Sequence, residues 1–372
     1  MTKRRGAVTA AFGLIVVASS ITGAIGVRAA KSPTITVVAQ GLNNPRGLAW
    51  GPDGALIVAE SGTAGTFCIP GPMGTTCLGT TGSISRIVGG HVHRFVTGLI
   101  SVGPPGGQGS TGPDGLSWRD DGSLYTIMTG APQVIPPGAP RTPLIDALHD
   151  QLGQLIKVGG DGGFQPVAPV GQFDYAWAKR HPHINPQYPD ANPYGVLALE
   201  NTIYVVDAGS NTLDQVGPDG KVTILALFPN PAVNDAVPTC LDRGRDGALY
   251  VGELTGGGNA PGSAVVWRVV PGEKPTVWQS GLTNITGCGF GADGSFYVTE
   301  FQVGPLGSAN PSGDVIRISE DGHRTSLGQG QVFLANGFLA GKDGSVYISN
   351  WSVLTGTSTG GSPTGEVIKI TP

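Results

Sequence analysis

Two sets of side chains recur at fixed places in this sequence, and their types are ones that do chemistry. Glu60, Asp207, Glu253 and Glu300 each stand seven residues after the first residue of a tight turn, with Met128 and Asn350 at the same place in two further copies. Arg46, Asp114, Tyr194, Thr239, Thr286 and Asn336 form the second set, each at the start of the short apolar run that leads into such a turn. Carboxylates gathered on one rim supply the oxygen donors that Ca2+ takes, so Glu60, Asp207, Glu253 and Glu300 are the candidate metal ligands and Ca2+ the candidate cofactor. Arg46, Asp114, Tyr194 and Asn336 are the candidate ligand-binding residues. A plainer use competes: a carboxylate at a strand end accepts backbone N–H bonds from the next loop and holds its own element together. His181 and His183, in KRHPHINPQYPDANPYG, are further ligand candidates. Arg180 and the tyrosines around them suit an anionic or aromatic ligand, against the alternative of a proline-pinned surface loop. Neither a Ser/His/Asp order, a phosphate-cradling glycine loop nor a zinc spacing stands out. Catalytic residues are therefore unassigned, and there is no nucleotide motif.

The elements that must position these residues are read from the repeat itself. GLNNPRGLAWGPDGALIVAE, residues 41–60, is two apolar runs hinged on Pro52-Asp53-Gly54, and Asp-Gly between alternating hydrophobics is a strong hairpin signal. GPDGLSWRDDGSLYTIM, NPYGVLALENTIYVVD, PTCLDRGRDGALYVGE, ITGCGFGADGSFYVTE and ANGFLAGKDGSVYISN repeat it. The last four turns begin at Glu200, Asp246, Asp293 and Asp343, at spacings of 46, 47 and 50 residues, which suit a four-stranded propeller blade. A third strand follows every hairpin and a fourth follows five of them. The sixth copy reaches Pro372 without one, and TITVVAQ at residues 34–40 is expected to supply it. The fold class is thus all-β, a six-bladed β-propeller closed by an N-terminal strand that completes the last blade.

In such a blade the turns joining strands one to two and three to four share one face of the ring. Here they are short, such as PDG, DDG, ADG and KDG. The other face carries long loops, over 61–82, 129–151, 172–191, 301–312 and 351–364. Long loops on a rigid scaffold are where binding concentrates, and both recurring sets of side chains belong to that face.

The ends and the composition bound the setting. Lys3, Arg4 and Arg5, an uncharged run to Val27, and Val27-Arg28-Ala29 fit an export signal over residues 1–29, cleaved or kept as an anchor. Residues 30–372 would then form a single domain outside the cytoplasm, secreted or in the cell envelope. Without that segment 18 basic side chains face 26 acidic ones, so no basic patch points to a nucleic-acid partner. Cys68, Cys77, Cys240 and Cys288 are an even set suited to disulfides. Cys68 and Cys77 share one loop, which leaves Cys240 to pair with Cys288.

NPRGLAWGPDGALIVAE resembles NHL-type six-bladed propellers. With DANPYGVLAL, GLTNITGCGFGADGSFYVTEF and the export signal, the chain more narrowly resembles the ScyD/ScyE family of exported bacterial propellers. That resemblance spans nearly all of residues 34–372 and implies an exported propeller without a catalytic motif to carry over. The first blade is also similar to the opening of soluble quinoprotein sugar dehydrogenases, but the second starts as Gly112-Pro113-Asp114-Gly115 where those enzymes carry a His-Gly-Gly-type sequence. No quinone motif is therefore expected. The functional expectation is a propeller that binds a small molecule or partner protein at the long-loop mouth of its channel. The alternative is a metal-dependent hydrolase or oxidoreductase using the same mouth.

Overall fold

The computed structural model describes residues 32–71, 74–135, 138–182, 189–228, 235–256, 260–328, 330–357 and 363–372. The expected export segment and His183 lie outside them. Residues from Pro33 onward belong to one compact unit.

The repeated turn is built by its aspartate and glycine. In the first hairpin the Gly51 N–H donates to Ala55 O at 2.8 Å and the Ala55 N–H to Asp53 Oδ1 at 3.1 Å. Gly54 sits at φ +81°, a conformation that a side chain disfavours. Asp121, Asp246, Asp293 and Asp343 accept from the backbone two residues on in the same way. Five of the six copies thus carry their turn geometry in their own sequence, the third turning instead through Glu200 and Asn201.

Strand β1 (Thr34–Leu42) precedes blade 1, which comprises β2 (Pro45–Trp50), β3 (Leu56–Glu60), β4 (Phe67–Gly71), β5 (Gly74–Val88) and β6 (His91–Gly103). Blade 2 holds β7 (Pro113–Trp118), β8 (Leu124–Met128), helix α1 (Pro143–Gln151), β9 (Leu155–Val158) and β10 (Phe164–Ala168). Helix α2 (Val170–Arg180) leads to blade 3, made of β11 (Pro193–Leu199), β12 (Thr202–Asp207), β13 (Thr212–Val216) and β14 (Val222–Leu227). Blade 4 is β15 (Pro238–Arg243), β16 (Leu249–Glu253), β17 (Ala264–Val269) and β18 (Thr276–Leu282). Blade 5 is β19 (Ile285–Phe290), β20 (Phe296–Glu300), β21 (Asp314–Ile318) and β22 (Arg324–Ser326). Blade 6 has β23 (Phe338–Ala340), β24 (Val346–Asn350) and β25 (Gly365–Thr371), and β1 is its fourth strand, antiparallel to β25 from Thr34 opposite Thr371 to Leu42 opposite Gly365. The ring closes as the sequence requires.

The core lies in the seams between blades. Ile127 and Leu155 of blade 2 pack with Val196, Ile203 and Val205 of blade 3. Trp50 meets Tyr347 edge-on and donates its indole N–H to Ala340 O at 2.7 Å, joining blades 1 and 6. Around the axis the inner strands approach too closely for side chains at one position: a Cβ on Gly115 would lie 2.8 Å from Tyr194 O, and one on Gly337 2.2 Å from Arg46 O. Blade 4 carries Cys240 there, bonded to Cys288 of blade 5. The second disulfide, Cys68–Cys77, crosses the β4–β5 hairpin.

Three stretches expected as loops contain regular elements. Residues 61–82 include β4 and the start of β5, residues 129–151 include α1, and residues 172–191 include most of α2. Helix α1 has its own start signal, Thr142 Oγ1 accepting the Ile145 N–H at 3.2 Å with Pro143 in the first turn. Ile145 and Leu148 then bury one face of it. Among the described residues no helix is long and apolar enough to cross a membrane.

Candidate functional site at the channel mouth

Each inner strand enters the ring from the long-loop face, opposite the end of the second strand of its blade, as Pro45 pairs with Glu60 and Pro193 with Asp207. Left-handed residues swing the chain into four of these strands: Asn44 (φ 52°), Val237 (φ 52°), Asn284 (φ 45°) and Leu334 (φ 44°). Two residues later in each case stands a member of the inner set. Closure of the ring therefore delivers Arg46, Asp114, Tyr194, Thr239, Thr286 and Asn336, one per blade, to one mouth.

Thr239 and Thr286 serve the scaffold, donating to Ile285 O and Ala335 O of the next blade, both at 2.7 Å. The other four differ. Arg46 Nε lies 3.7 Å from Asp114 Oδ2, and both side chains are buried. The Arg46 guanidinium also donates to Ser61 Oγ at 3.3 Å and Ser110 O at 3.0 Å. Asn336 donates from Nδ2 to the Tyr194 hydroxyl at 2.6 Å, a bond that joins blades 6 and 3 across the axis. Asn336 is held in turn by the Gly337 N–H on its Oδ1 at 2.7 Å. Asp114, Tyr194 and Asn336 line, with Thr239 and Thr286, a channel cavity of about 90 Å3. That is room for a few waters or one small polar group rather than a whole drug-sized ligand.

Burial sets the chemistry of this group. It pushes the Asp114 carboxyl up to about 7, with Arg46 opposing the rise. It pushes the Tyr194 phenol to about 12, helped by the nearby Asp114 charge. Asp114 is thus balanced between acid and carboxylate near neutrality, beside a permanent cation and a phenol that keeps its proton. The structure brings together all four of the inner residues read from the sequence.

The four candidate metal ligands are not brought together. Each is engaged inside its own blade or the loop beside it. Glu60 accepts from the Asn43 N–H at 2.6 Å, from Ser85, and from Arg94 at 2.7 Å. Asp207 Oδ1 accepts the N–H groups of Asn192, Gly209 and Ser210. Glu253 accepts from the Val265 N–H and the Trp267 indole, and Glu300 from the Thr283 N–H. Among the described residues no three acidic, His or Cys side chains are gathered as a ready shell for a metal. The physical reason is direction: these carboxylates accept from the loops beside their strands or from the outer strands of the blade, and so are spent there instead of meeting one another. His181 closes helix α2, its Nδ1 2.8 Å from Trp177 O and its ring stacked on Trp177 at 4.6 Å. It does not line the channel cavity.

Two acidic residues escaped the sequence reading. Asp174 lies on the inward face of α2 with Val170, Gly171 and Ala178, and Asp214 lies within β13; both are fully buried. Asp214 had a signal, an aspartate in the middle of a third strand, TLDQV, whereas Asp174 sits in a helix without a continuous apolar stripe to place it.

No family model matches this chain, and no curated protein sequence is similar to it. Solved structures share the fold at low identity. An aldose sugar dehydrogenase from Streptomyces coelicolor, in its PQQ-bound form, is 14% identical with a TM-score of 0.53, over 91% of this chain and 99% of that one. An oxidoreductase from Thermus thermophilus, described as a glucose dehydrogenase, is 15% identical with a TM-score of 0.52, over 91% and 100%. A gluconolactonase from Xanthomonas campestris is 8% identical with a TM-score of 0.51, over 91% and 89%. These neighbours are six-bladed β-propeller proteins, and at such identities they speak for the fold alone: this chain is a six-bladed β-propeller.

Proposed function

We propose that the chain is an exported propeller, of the kind the ScyD/ScyE resemblance suggests, that binds a small polar ligand at the long-loop mouth of its channel. One observation carries this reading: Arg46, Asp114, Tyr194 and Asn336 converge from four blades, where the same position in blades 4 and 5 holds only scaffold threonines. The two disulfides fit a chain that matures under oxidising conditions, which supports export. The narrow cavity favours a ligand that inserts a single hydroxyl or carboxylate while its bulk rests among the loops. A partner protein could present such a group as well as a free small molecule. A second reading has its own support: a carboxyl held near 7 beside an arginine and a tyrosine is suited to general acid–base work. A hydrolase or oxidoreductase using this mouth would employ Asp114 to move the proton. The fold neighbours named as dehydrogenases and a gluconolactonase fit that alternative.

The test is a thermal-shift screen of wild type with sugars, hydroxy acids and sugar lactones, repeated on Asp114→Asn and Asn336→Ala. A ligand that raises the wild-type Tm and loses its effect in both variants supports the mouth as the site. Turnover of that ligand, abolished in Asp114→Asn, favours the enzyme. A ligand whose effect survives in both variants removes the mouth from consideration.

A further inference from the structure

On the short-turn face, the seam between blades 4 and 5 holds a cavity of about 260 Å3. Four aromatic side chains line it: Tyr250 of β16, Trp278 of β18, Phe290 of β19 and Phe296 of β20. Tyr250 and Phe296 are buried, whereas Trp278 and Phe290 are half-buried. Trp278 meets Tyr250 at 4.9 Å and 80° and Phe296 at 5.3 Å and 83°, and Phe290 meets Tyr250 at 5.1 Å and 87°. Among the described ring contacts neither Trp278 nor Phe290 is stacked face on face, so both turn aromatic surface to the cavity without a ring laid over it.

The rim is polar and comes from both blades. Arg245, in the β15–β16 turn, and Glu320, in the β21–β22 turn, line the same cavity with side chains that are 75% and 72% exposed. They meet beside Gly294, where a Cβ would lie 2.6 Å from Glu320 Oε1 and 3.1 Å from Arg245 Nη1. Their mutual contact is long, 3.5 Å from Arg245 Nη1 to Glu320 Oε1, and among the described residues it is the only hydrogen bond or ion pair of either side chain. So exposed a pair adds little to stability and leaves most of its donors and acceptors open. The other polar groups at the cavity are engaged: the Tyr250 hydroxyl donates to Asp246 Oδ2 at 3.2 Å, and Arg268 holds the same oxygen. In the second aromatic seam of this face, where Trp50 meets Tyr347, the indole N–H is taken by Ala340 O. The Trp278 indole N–H has no such partner among the described residues.

A ligand for this cavity must satisfy both parts. The rim sets one cation beside one anion, which favours neither an anionic nor a cationic guest; a group that donates and accepts together, a hydroxyl, matches it. The wall asks for an apolar ring face. The volume, below the roughly 300–1,000 Å3 of drug-sized sites, suits a single ring. We propose that the seam between blades 4 and 5 binds one neutral sugar ring, a pyranose, with its C–H face against Trp278 and Phe290 and neighbouring hydroxyls shared between Arg245 and Glu320. This site is separate from the channel mouth and does not depend on it.

Saturation-transfer NMR titrations of the full chain test the proposal, with the methyl glycosides of glucose, galactose, mannose and N-acetylglucosamine as probes and with benzoate and tetramethylammonium as charged comparators. At least one glycoside should bind with Kd on the order of 1 mM, as suits one ring in an open cleft. Trp278→Ala should weaken it about tenfold, and Arg245→Ala and Glu320→Gln about threefold each. Lys221→Ala, in the β13–β14 turn of the same face, should leave Kd unchanged. Absence of glycoside binding, or binding of benzoate or tetramethylammonium alone, overturns the proposal. So does a Kd that shifts in Asp114→Asn and not in Trp278→Ala, which places the sugar at the channel mouth, or an equal loss in Lys221→Ala, which makes the effect one of surface charge. If Trp278→Ala does not fold, the variants of the exposed Arg245 and Glu320 decide.

Discussion

Asp114 is a buried carboxyl at the channel mouth, and its consequences extend to stability. The folded chain keeps its proton to about pH 7, whereas an unfolded chain releases it near the ordinary 3.8. Between those values the folded state binds more protons, so this residue's contribution falls as pH rises through that window, by about 4 kcal/mol in full. Asp114→Asn has no such dependence, and its curve of Tm against pH should be flatter than that of wild type between about pH 4 and 7. Glu300 and Asp214, raised by burial to about 7 and 8, account for slope that remains. Equal slopes in the two proteins would mean that Asp114 is hydrated and ordinary. The repeat frame made Arg46, Asp114, Tyr194 and Asn336 legible in the sequence, because position in a closed ring decides which strand starts meet. It left two uses open for Glu60, Glu253 and Glu300, since a strand-end carboxylate can turn toward the axis or back into its own blade without a change in spacing, and the structure shows the second.

Elements fared according to how local their signals are. Turns such as Pro52-Asp53-Gly54 carry their own instructions, an aspartate that caps the backbone and a glycine at positive φ, so five hairpins were readable locally and the third, at Glu200-Asn201, through the repeat. Helix α2 was not, because its inward face mixes Val170 and Ala178 with the buried Asp174 and so breaks the apolar stripe that would announce it. Closure by β1 was readable as arithmetic, a strand missing at one end and spare at the other. Removing residues 33–42 exposes β25, whose Val367, Ile368 and Ile370 are buried in the closed ring. The truncated protein should be recovered as aggregate or melt far below wild type; an unchanged Tm would mean that β1 is an ornament. The Cys240–Cys288 bond ties inner strands of adjacent blades 48 residues apart. Replacing both by alanine should cost about 2–4 kcal/mol in denaturant unfolding, and a cost near zero would show that packing alone holds that seam.

At the scale of the whole molecule, closure turns distant sequence into one site. Tyr194 and Asn336 are 142 residues apart and sit on opposite blades, yet they share a hydrogen bond of 2.6 Å across the axis. Either use proposed for the mouth, binding or catalysis, would rest on that convergence. A double-mutant cycle of Tyr194→Phe and Asn336→Ala, read by denaturant unfolding, measures it directly. The two side chains should be coupled by about 1 kcal/mol, the double mutant losing less than the two single mutants together. Strict additivity, within about 0.3 kcal/mol, would contradict a ring in which blades 3 and 6 meet at the channel mouth.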